Sequence, residues 1–193
     1  GIHLFSYKEA IKMAFDKIKQ NDVLSSWYDS FTNQFHSRNV WQYLEVPEKG
    51  CFTDFRKMKV DDDKLAMERV FSIGGKTGWY YANFLWKIRG FLDKLMGGVG
   101  LRRGRRNQNE LEAGDSVDFW RVLFANKEEK RLLLFAEMKV PGEAWLEFYI
   151  KDGELHQEAT FRPLGLSGRL YWYSVLPFHG LIFNGMLRKL AGK

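Results

Sequence analysis

The spacing of apolar residues changes along the last third of this chain, and that change limits the folds available to it. Residues 115–162 alternate between apolar and polar side chains as strands do, whereas residues 166–191 form one long apolar stretch. From Leu170 to Leu187 no residue carries a formal charge. Strands followed by a terminal apolar helix predict an α+β fold, in which a curved antiparallel sheet wraps around that helix and leaves a pocket between them.

The uncharged stretch only just reaches the length of a bilayer crossing, for which about 18 residues is the lower limit. It also contains His179, Asn184 and Pro177, together with two glycines. These residues favour a buried helix that is kinked near Pro177, so we expect no membrane span.

The chain is expected to form one main domain preceded by a connector. Residues 1–50 contain a short amphipathic helix over residues 6–20 and then an irregular segment, whereas residues 51–193 carry the domain. In the domain we expect a strand, two helices and four more strands, at Cys51–Val60, Lys64–Ser72, Trp79–Leu95, 116–125, 131–140, 143–150 and 154–162.

Two short turns predict how the last strands pair. Pro141-Gly142 and Asp152-Gly153 both have the composition of two-residue hairpin loops. The first would pair Phe135 with Phe148, and the second would pair Phe148 with Gln157. The predicted inner face then carries Leu133, Phe135, Glu137, Leu146, Phe148, Ile150, Leu155, Gln157, Ala159 and Phe161.

The predicted outer face is too apolar to be open to water. It carries Leu132, Leu134, Met138, Trp145 and Tyr149, and we expect residues 1–50 or a further domain to cover part of it. For strand 116–125 two orientations stay open, with either Asp118 and Trp120 or Phe119 and Arg121 directed inward.

Six residues are the candidates for contacting a ligand in the pocket. Pockets are mostly apolar and aromatic with a few polar anchors. Glu137 and Gln157 would be the anchors, and the contact area would come from Phe135, Phe148, Trp79 and Trp172. The alternative is ordinary core packing for the aromatic residues and a satisfied buried pair for the two polar ones.

No catalytic or metal-binding constellation can be identified in the sequence. The four histidines and Cys51 lack metal-ligand spacing, and Gly75-Lys76-Thr77 and Gly98-Val99-Gly100 both lack a glycine that a nucleotide-binding loop requires. Glu137 is a weak candidate for a general acid or base, because burial would raise its pKa towards neutrality. A close Arg121 would instead make Glu137 part of a structural ion pair.

The chain is basic, with a net charge of +6 and a pI of about 9.3, and its arginines cluster in one loop. Arg102, Arg103, Arg105 and Arg106 repel one another, so they are candidates for binding an anion such as a phosphate or an acidic patch. The alternative is a solvated loop neutralised by nearby acidic residues. Nucleic acid is not favoured, because the aromatic residues do not lie between the arginines.

Several segments together resemble a known family. They are Gly74–Asn83, Gly97–Arg106, Gly114–Val122, Ala136–Gly142 and Leu170–His179. They resemble a bacterial family of uncharacterised domains found at the C-terminus of atypical short-chain dehydrogenase/reductase proteins, after an NAD(P)-binding Rossmann domain. That family is similar to the START-like, polyketide-cyclase-like helix-grip superfamily.

The resemblance implies a cytoplasmic protein with a cavity for a hydrophobic ligand and an attached or partner oxidoreductase. It brings no catalytic residues, and NAD(P) would bind only in an upstream domain. Three hypotheses follow: a ligand-binding domain that serves the oxidoreductase, a cyclase or hydratase that acts in the cavity, and a module that docks a Rossmann domain or a second copy. The ligand, any reaction and the oligomeric state are not predicted.

Overall fold

The structure is a computed structural model that describes residues 44–98, 100, 105 and 110–193. The predicted helix over residues 6–20 lies outside the described residues, and the boundary at residue 50 stays a prediction. In chain order the elements are β1 (Phe52–Lys59), α1 (Asp63–Phe71), α2 (Asn83–Leu95), β2 (Ser116–Val117), β3 (Trp120–Asn126), β4 (Arg131–Ala136), β5 (Gly142–Lys151), β6 (Glu154–Pro163) and α3 (Gly165–Ala191).

The six strands form one antiparallel sheet against which the C-terminal helix packs. Their order across the sheet is β1-β6-β5-β4-β3-β2. Helix α3 lies on the inner face against β1 and β6, and α1 contacts α3. The apolar side chains of the inner face, α1 and α3 form the main core. This arrangement confirms the predicted α+β helix-grip fold.

The β5–β6 hairpin has the predicted register. Phe148 pairs with Gln157 and Leu146 pairs with Ala159. Asp152 and Gly153 both have positive φ, of 53° and 72°, which is the backbone conformation that a tight two-residue hairpin requires. Turn chemistry alone therefore predicts the pairing of these two strands.

The register predicted for β4 and β5 is wrong. Phe135 pairs with Trp145, and Leu134 pairs with Leu146, so Phe135 faces outward with Trp145. A register that shifts by an odd number of residues turns every side chain of a strand to the other face. The residues exchanged are Leu133, Phe135 and Glu137, which are outside instead of inside, and Leu132, Leu134 and Met138, which are inside instead of outside.

The register differs from the prediction because the chain leaves the β4–β5 ladder after Ala136. The N–H of Glu137 donates to the carbonyl of Phe119, and the N–H of Lys139 donates to Asp93 Oδ1 at 2.7 Å. The connection is therefore five residues long, from Glu137 to Pro141, rather than the two that Pro141-Gly142 suggested.

Strand β3 resolves the orientation that the sequence left open. Trp120 pairs with Ala136 and Val122 with Leu134, so these residues face the core, whereas Arg121 pairs with Phe135 and faces outward. The register shifts by one residue between Val122 and Phe124, which is a β-bulge.

Helix α2 begins later than predicted. Tyr80 and Ala82 have positive φ, of 60° and 51°, which no α-helix accommodates. The Asn83 side chain also accepts a hydrogen bond from the backbone N–H of Trp79 at 2.8 Å. Trp79 and Tyr81 consequently lie in the loop before the helix rather than on it.

Helix α3 is buried along one side only, whereas the sequence predicted a buried helix. Pro177 lies inside its 27 residues. Its exposed apolar side chains include Leu166, Leu170, Tyr173, Leu176, Phe178 and Leu181, and α2 exposes Phe84, Ile88, Phe91, Leu92 and Leu95. Among the described residues, none of the helices is both long and apolar enough to span a lipid bilayer.

The outer face of the sheet carries a second, smaller apolar cluster. Leu123, Leu133, Phe135 and Trp145 are all buried there, and Val46 packs against them. The described end of the predicted connector thus covers part of this face, as we expected for residues 1–50.

Candidate functional site

A cavity of about 270 Å³ lies between α2, α3 and the inner face of the sheet. This volume is just below the roughly 300–1,000 Å³ that is usual for ligand pockets. Helix α2 contributes Leu85, Trp86, Ile88, Arg89 and Leu92, whereas α3 contributes Tyr171, Trp172, Val175, Phe178, His179, Ile182 and Phe183. The sheet and the β4–β5 connection add Trp120, Met138, Val140, Ala144, Ala159 and Phe161.

A cluster of aromatic rings forms the wall between α2 and β3. Trp79 stacks on Trp86 with ring centroids 4.4 Å apart, and its ring lies 6.1 Å from that of Trp120. Phe119 packs within 6.4 Å of all three tryptophan rings. Trp86 and Trp120 line the cavity. Trp79 is not part of the lining and packs against both rings.

The three indole N–H groups of this cluster have different surroundings. Trp79 Nε1 donates to Asp118 Oδ2 at 2.7 Å. Burial raises the pKa of Asp118, and this hydrogen bond opposes the rise. Trp86 Nε1 and Trp120 Nε1 are buried and have no acceptor among the described residues.

Arg89 is the cationic side chain of the described cavity lining. Its Nη2 lies 2.9 Å from the thioether sulfur of Met138, and its guanidinium lies 5.6 Å from the ring centre of Tyr171. Burial raises the pKa of Tyr171, and Arg89 opposes that rise. Among the described residues no carboxylate lies within ion-pair distance of Arg89.

His179 connects the cavity with a polar cluster between α3 and β1. Its Nδ1 lies 3.8 Å from Asp54 Oδ2, and Arg56 bonds both Asp54 and Asn184. Burial lowers the pKa of His179 to about 4, with Asp54 opposing this shift and Arg56 adding to it. The imidazole is therefore neutral at pH 7.

The structure brings one of the six predicted ligand contacts, Trp172, to the cavity wall. Phe148 and Gln157 face the core but do not line the cavity, and Trp79 lies behind it. Phe135 lies on the opposite face of the sheet, so its predicted place in the pocket is wrong. Whether Trp172 contacts a ligand stays a prediction.

Glu137 does not face the cavity either. Its carboxylate is paired with the guanidinium of Arg121, and both side chains are excluded from solvent. Arg121 also donates to the carbonyl of Gly114 at 2.6 Å. A close Arg121 was expected to make Glu137 part of a structural ion pair. The contact with Arg121 therefore favours that role over a general acid or base.

Arg105 does not belong to an anion-binding surface. It is buried, and its guanidinium donates to the carbonyls of Phe71, Ile73 and Glu110, at 2.6, 2.9 and 3.1 Å. Burial lowers its pKa to about 10, with nearby Asp115 opposing the shift. Arg105 thus ties its loop to the C-terminal end of α1. Arg102, Arg103 and Arg106 lie outside the described residues.

A second concavity is less suited to a small ligand. It is a groove of about 910 Å³, open to solvent, lined by Met58, Tyr81, Leu181, Asn184, Arg188, Lys189 and Lys193. The described side chains also include no group of three or more residues that could hold a metal ion. The smaller cavity is therefore the better candidate site.

The residues that mark the cavity most clearly were not singled out from the sequence. Trp86 and Arg89 lie three positions apart on α2, which places them on one face of that helix. An arginine and a tryptophan on an otherwise apolar helix face were the available signal. Trp120 could not be assigned because the register of β3 was unknown.

Comparisons with known proteins identify a family but no activity. A family model described as "Protein of unknown function (DUF2867)" matches residues 48–186. A curated relative, the probable translation initiation factor IF-2 of Pyrococcus abyssi (strain GE5 / Orsay), is 30% identical over 128 residues. That match covers 56% of this chain but 13% of the relative.

Among solved structures, the crystal structure of Ara h 8.0201 is similar to 75% of this chain and 100% of its own chain. The TM-score is 0.35 and the sequence identity is 10%. A similarity this low supports no argument about function. The argument about function therefore rests on the residues of the cavity.

Proposed function

This chain belongs to the family of proteins of unknown function called DUF2867, and we propose that its function is to bind a small apolar ligand between α2, α3 and the sheet. The observation that carries this proposal is the cavity itself. It is a partly open cavity between two helices and the sheet, walled mainly by aromatic and aliphatic side chains. A concave, mostly apolar lining of this kind is typical of small-molecule sites.

The test is ligand-dependent thermal stability with neutral apolar probes such as 1-hexanol and 1-octanol. A ligand at ten times its Kd stabilises the folded state by about 1.4 kcal/mol. For a domain of this size that corresponds to a rise in Tm of about 3–6 °C.

A cavity-filling variant gives the matched control. Ala159 lies on the inner face and lines the cavity, so Ala159→Leu should remove binding while the domain still folds. Thr53→Leu adds the same side chain on the exposed face of β1 and should leave binding intact. Equal binding by both variants would show that the probes occupy another site, and no binding by the wild type would refute the proposal.

A finer proposal is that the domain serves an attached or partner NAD(P)-dependent oxidoreductase, whose Rossmann domain docks on the exposed apolar faces of α2 and α3. Its support is the sequence resemblance together with the exposure of Phe84, Phe91 and Leu95 along one side of α2. Such a continuous apolar stripe is typical of an interface.

The full reading frame and its neighbours provide the first test, since a frame without a nucleotide-binding domain nearby would contradict this finer proposal. Where such a domain exists, Phe91→Asp should weaken its association with this domain, as measured by sedimentation. Thr53→Asp, on exposed β1, is the control. Equal association of both variants with the oxidoreductase would exclude α2 as the docking surface.

The cyclase or hydratase hypothesis gains no support from the site. Its proposed general acid or base, Glu137, is held by Arg121 on the other side of the sheet from the cavity. We therefore propose binding rather than catalysis as the function of the described cavity.

A further inference from the structure

Helices α2 and α3 each carry a stripe of exposed apolar side chains. On α2 the stripe consists of residues four, three and four positions apart that are 50–68% exposed, namely Phe84, Ile88, Phe91 and Leu95. On α3 a similar stripe contains Leu166, Leu170 and Tyr173. This spacing places each set on one side of its helix. Soluble monomers rarely expose apolar side chains in such continuous sets, so we expect a partner to cover them.

The two stripes border the mouth of the cavity. Ile88 and Leu92 on α2 and Phe178 on α3 line the cavity, and each is also about half exposed to solvent. These three side chains therefore form an apolar rim where the cavity opens between the helices. The exposed apolar surface of α2 continues through this rim towards that of α3.

The exposed charges on these two helices are all positive. The fully exposed ones are those of Lys87, Lys94, Arg169, Arg188 and Lys189. Asp93 is the single acidic residue in the sequence of either helix. It is fully buried, and its carboxylate accepts from the backbone N–H groups of Gly100 and Lys139. A surface that combines apolar stripes with exposed cations attracts an anionic partner.

An anionic lipid bilayer fits this combination better than a protein surface does. Lysine is depleted in the cores of protein–protein interfaces, whereas lysines beside an apolar helix face are typical of helices that lie in the plane of a membrane. Lys87 and Lys94 each lie one helical turn from Phe91, so they flank the stripe of α2. The long apolar stems of these lysines let the ammonium groups reach the headgroups while the stripe contacts the acyl chains.

We propose that α2 and α3 lie on the surface of an anionic bilayer, with their apolar stripes at the acyl-chain boundary and Lys87, Lys94 and Arg169 at the headgroups. In this placement the mouth of the cavity faces the bilayer. The inference goes beyond the proposed function, because it concerns the outer surface and holds whether or not the cavity binds a ligand. A Rossmann domain on the same helices would compete with the bilayer, so the experiment has to distinguish these two occupants.

The test is sedimentation of the 193-residue chain with lipid vesicles. One preparation is phosphatidylcholine alone, and the other contains equal parts of phosphatidylcholine and phosphatidylglycerol. Each basic residue near an anionic surface strengthens binding about fivefold. With three cations at the headgroups, we expect partitioning onto the mixed vesicles to be at least about tenfold stronger than onto phosphatidylcholine. High salt should reduce this difference, because it screens the attraction.

Two double variants test whether this surface makes the contact. Lys87→Gln with Lys94→Gln should weaken binding to the mixed vesicles about 10- to 30-fold. Lys59→Gln with Lys151→Gln removes the same net charge from the ends of β1 and β5 and should change binding much less. All four lysines are exposed, so both variants should fold. Equal weakening by the two variants would show that net charge alone attracts the vesicles, and it would overturn the inference.

A pair of aromatic variants tests the apolar contact. Phe91→Gln removes a ring from the stripe of α2 and should weaken vesicle binding about tenfold. Phe55→Gln makes the same change at an exposed position of β1. Phe55 faces away from α3, because its neighbour Arg56 bonds Asn184 of that helix and alternate residues of a strand face opposite ways. This control should therefore bind as the unchanged protein does, and equal binding by both variants would contradict the inference.

The remaining outcomes separate the two occupants and the two proposals. Binding that the mixed vesicles strengthen, and that Phe91→Gln and the Lys87/Lys94 variant weaken while both controls stay intact, supports the inference. If neither kind of vesicle binds, the inference is overturned and a protein partner becomes the better occupant of these helix faces. Equal binding to both kinds of vesicle overturns the role of the cations. None of these results alters the thermal-stability test with alcohols, so the proposed cavity function is judged separately.

Discussion

Arg121 and Glu137 form a two-point ion pair from which solvent is excluded. Arg121 Nε lies 3.0 Å from Glu137 Oε1, and Nη2 lies 3.3 Å from Oε2. The pair joins β3 to the first residue after β4, where the chain leaves the ladder. Its position explains why Glu137 is buried without belonging to the cavity.

Removing one partner of this pair should destabilise the domain strongly. Arg121→Met would remove the cationic half of this buried ion pair, and we expect the free energy of unfolding to fall by about 3–5 kcal/mol. Urea denaturation measures this loss. The double variant with Glu137→Leu should lose less than Arg121→Met alone, since it removes both halves of the pair; an equal or greater loss would contradict this assignment.

Gln157 is expected to reduce stability rather than support it. Its side chain is fully buried, and both its amide oxygen and nitrogen lack a partner among the described residues. Gln157→Leu should therefore raise the free energy of unfolding by about 1–3 kcal/mol. Ligand affinity should not change, because Gln157 does not line the cavity. A destabilised variant would mean that the amide has a role that these contacts do not show.

Two glycines of α3 should respond in opposite ways to the same substitution. A Cβ at Gly185 would lie 2.3 Å from the ring of Tyr81, whereas a Cβ at Gly180 would meet nothing within 4 Å. Gly185→Ala should lower the free energy of unfolding by about 1–3 kcal/mol, because the loop carrying Tyr81 must move. Gly180→Ala should raise it by up to about 1 kcal/mol through helix propensity. Thermal denaturation of both variants checks the contrast, and similar Tm values would contradict it.

His179 should make the domain sensitive to mild acid. The pKa of His179 is about 4 in the folded protein, whereas an ordinary histidine has a pKa of 6.5. Between these pH values the unfolded chain therefore binds more protons than the folded protein does. The stability that comes from keeping His179 neutral is fully present above pH 6.5 and is lost as the pH falls towards 4. The loss should be about 2–3 kcal/mol, since one-fifth of the side chain is exposed.

A His179→Phe variant isolates this effect from other titrating groups. Its stability should decline less than that of the wild type between pH 6.5 and 4, as measured by urea denaturation at each pH. Asp118 changes in the opposite sense, because its raised pKa favours the folded state at low pH, and it is present in both proteins. Parallel stability curves would contradict the role of His179.

The architecture was predictable because apolar spacing and turn chemistry are local signals. Asp152-Gly153 specifies a tight turn, and the pairing of β5 with β6 follows from it. The pairing of β4 with β5 was not predictable in the same way. It depends on Asp93, which lies 46 residues before Lys139 in the chain and binds its N–H. Together with the hydrogen bond from the Glu137 N–H to the carbonyl of Phe119, this contact accompanies the register that turns Phe135 away from the core.

The site was harder to predict than the fold for a related reason. Which side chains reach the cavity depends on registers and helix starts that tertiary contacts determine, as at Trp120 and at the positive φ of Ala82. Whether a tryptophan has a partner for its N–H is likewise invisible in the sequence. Trp79, Trp86 and Trp120 are the same residue type, and only the three-dimensional arrangement distinguishes them.

The stacking of those tryptophans also has a spectroscopic consequence. Indole rings with centroids 4.4 and 6.1 Å apart have electronically coupled transitions, and this cluster occupies the cavity wall. The near-ultraviolet circular dichroism of the protein should therefore contain an exciton contribution that changes when anything displaces those rings. The domain thus carries its own optical reporter for occupancy, without an added label.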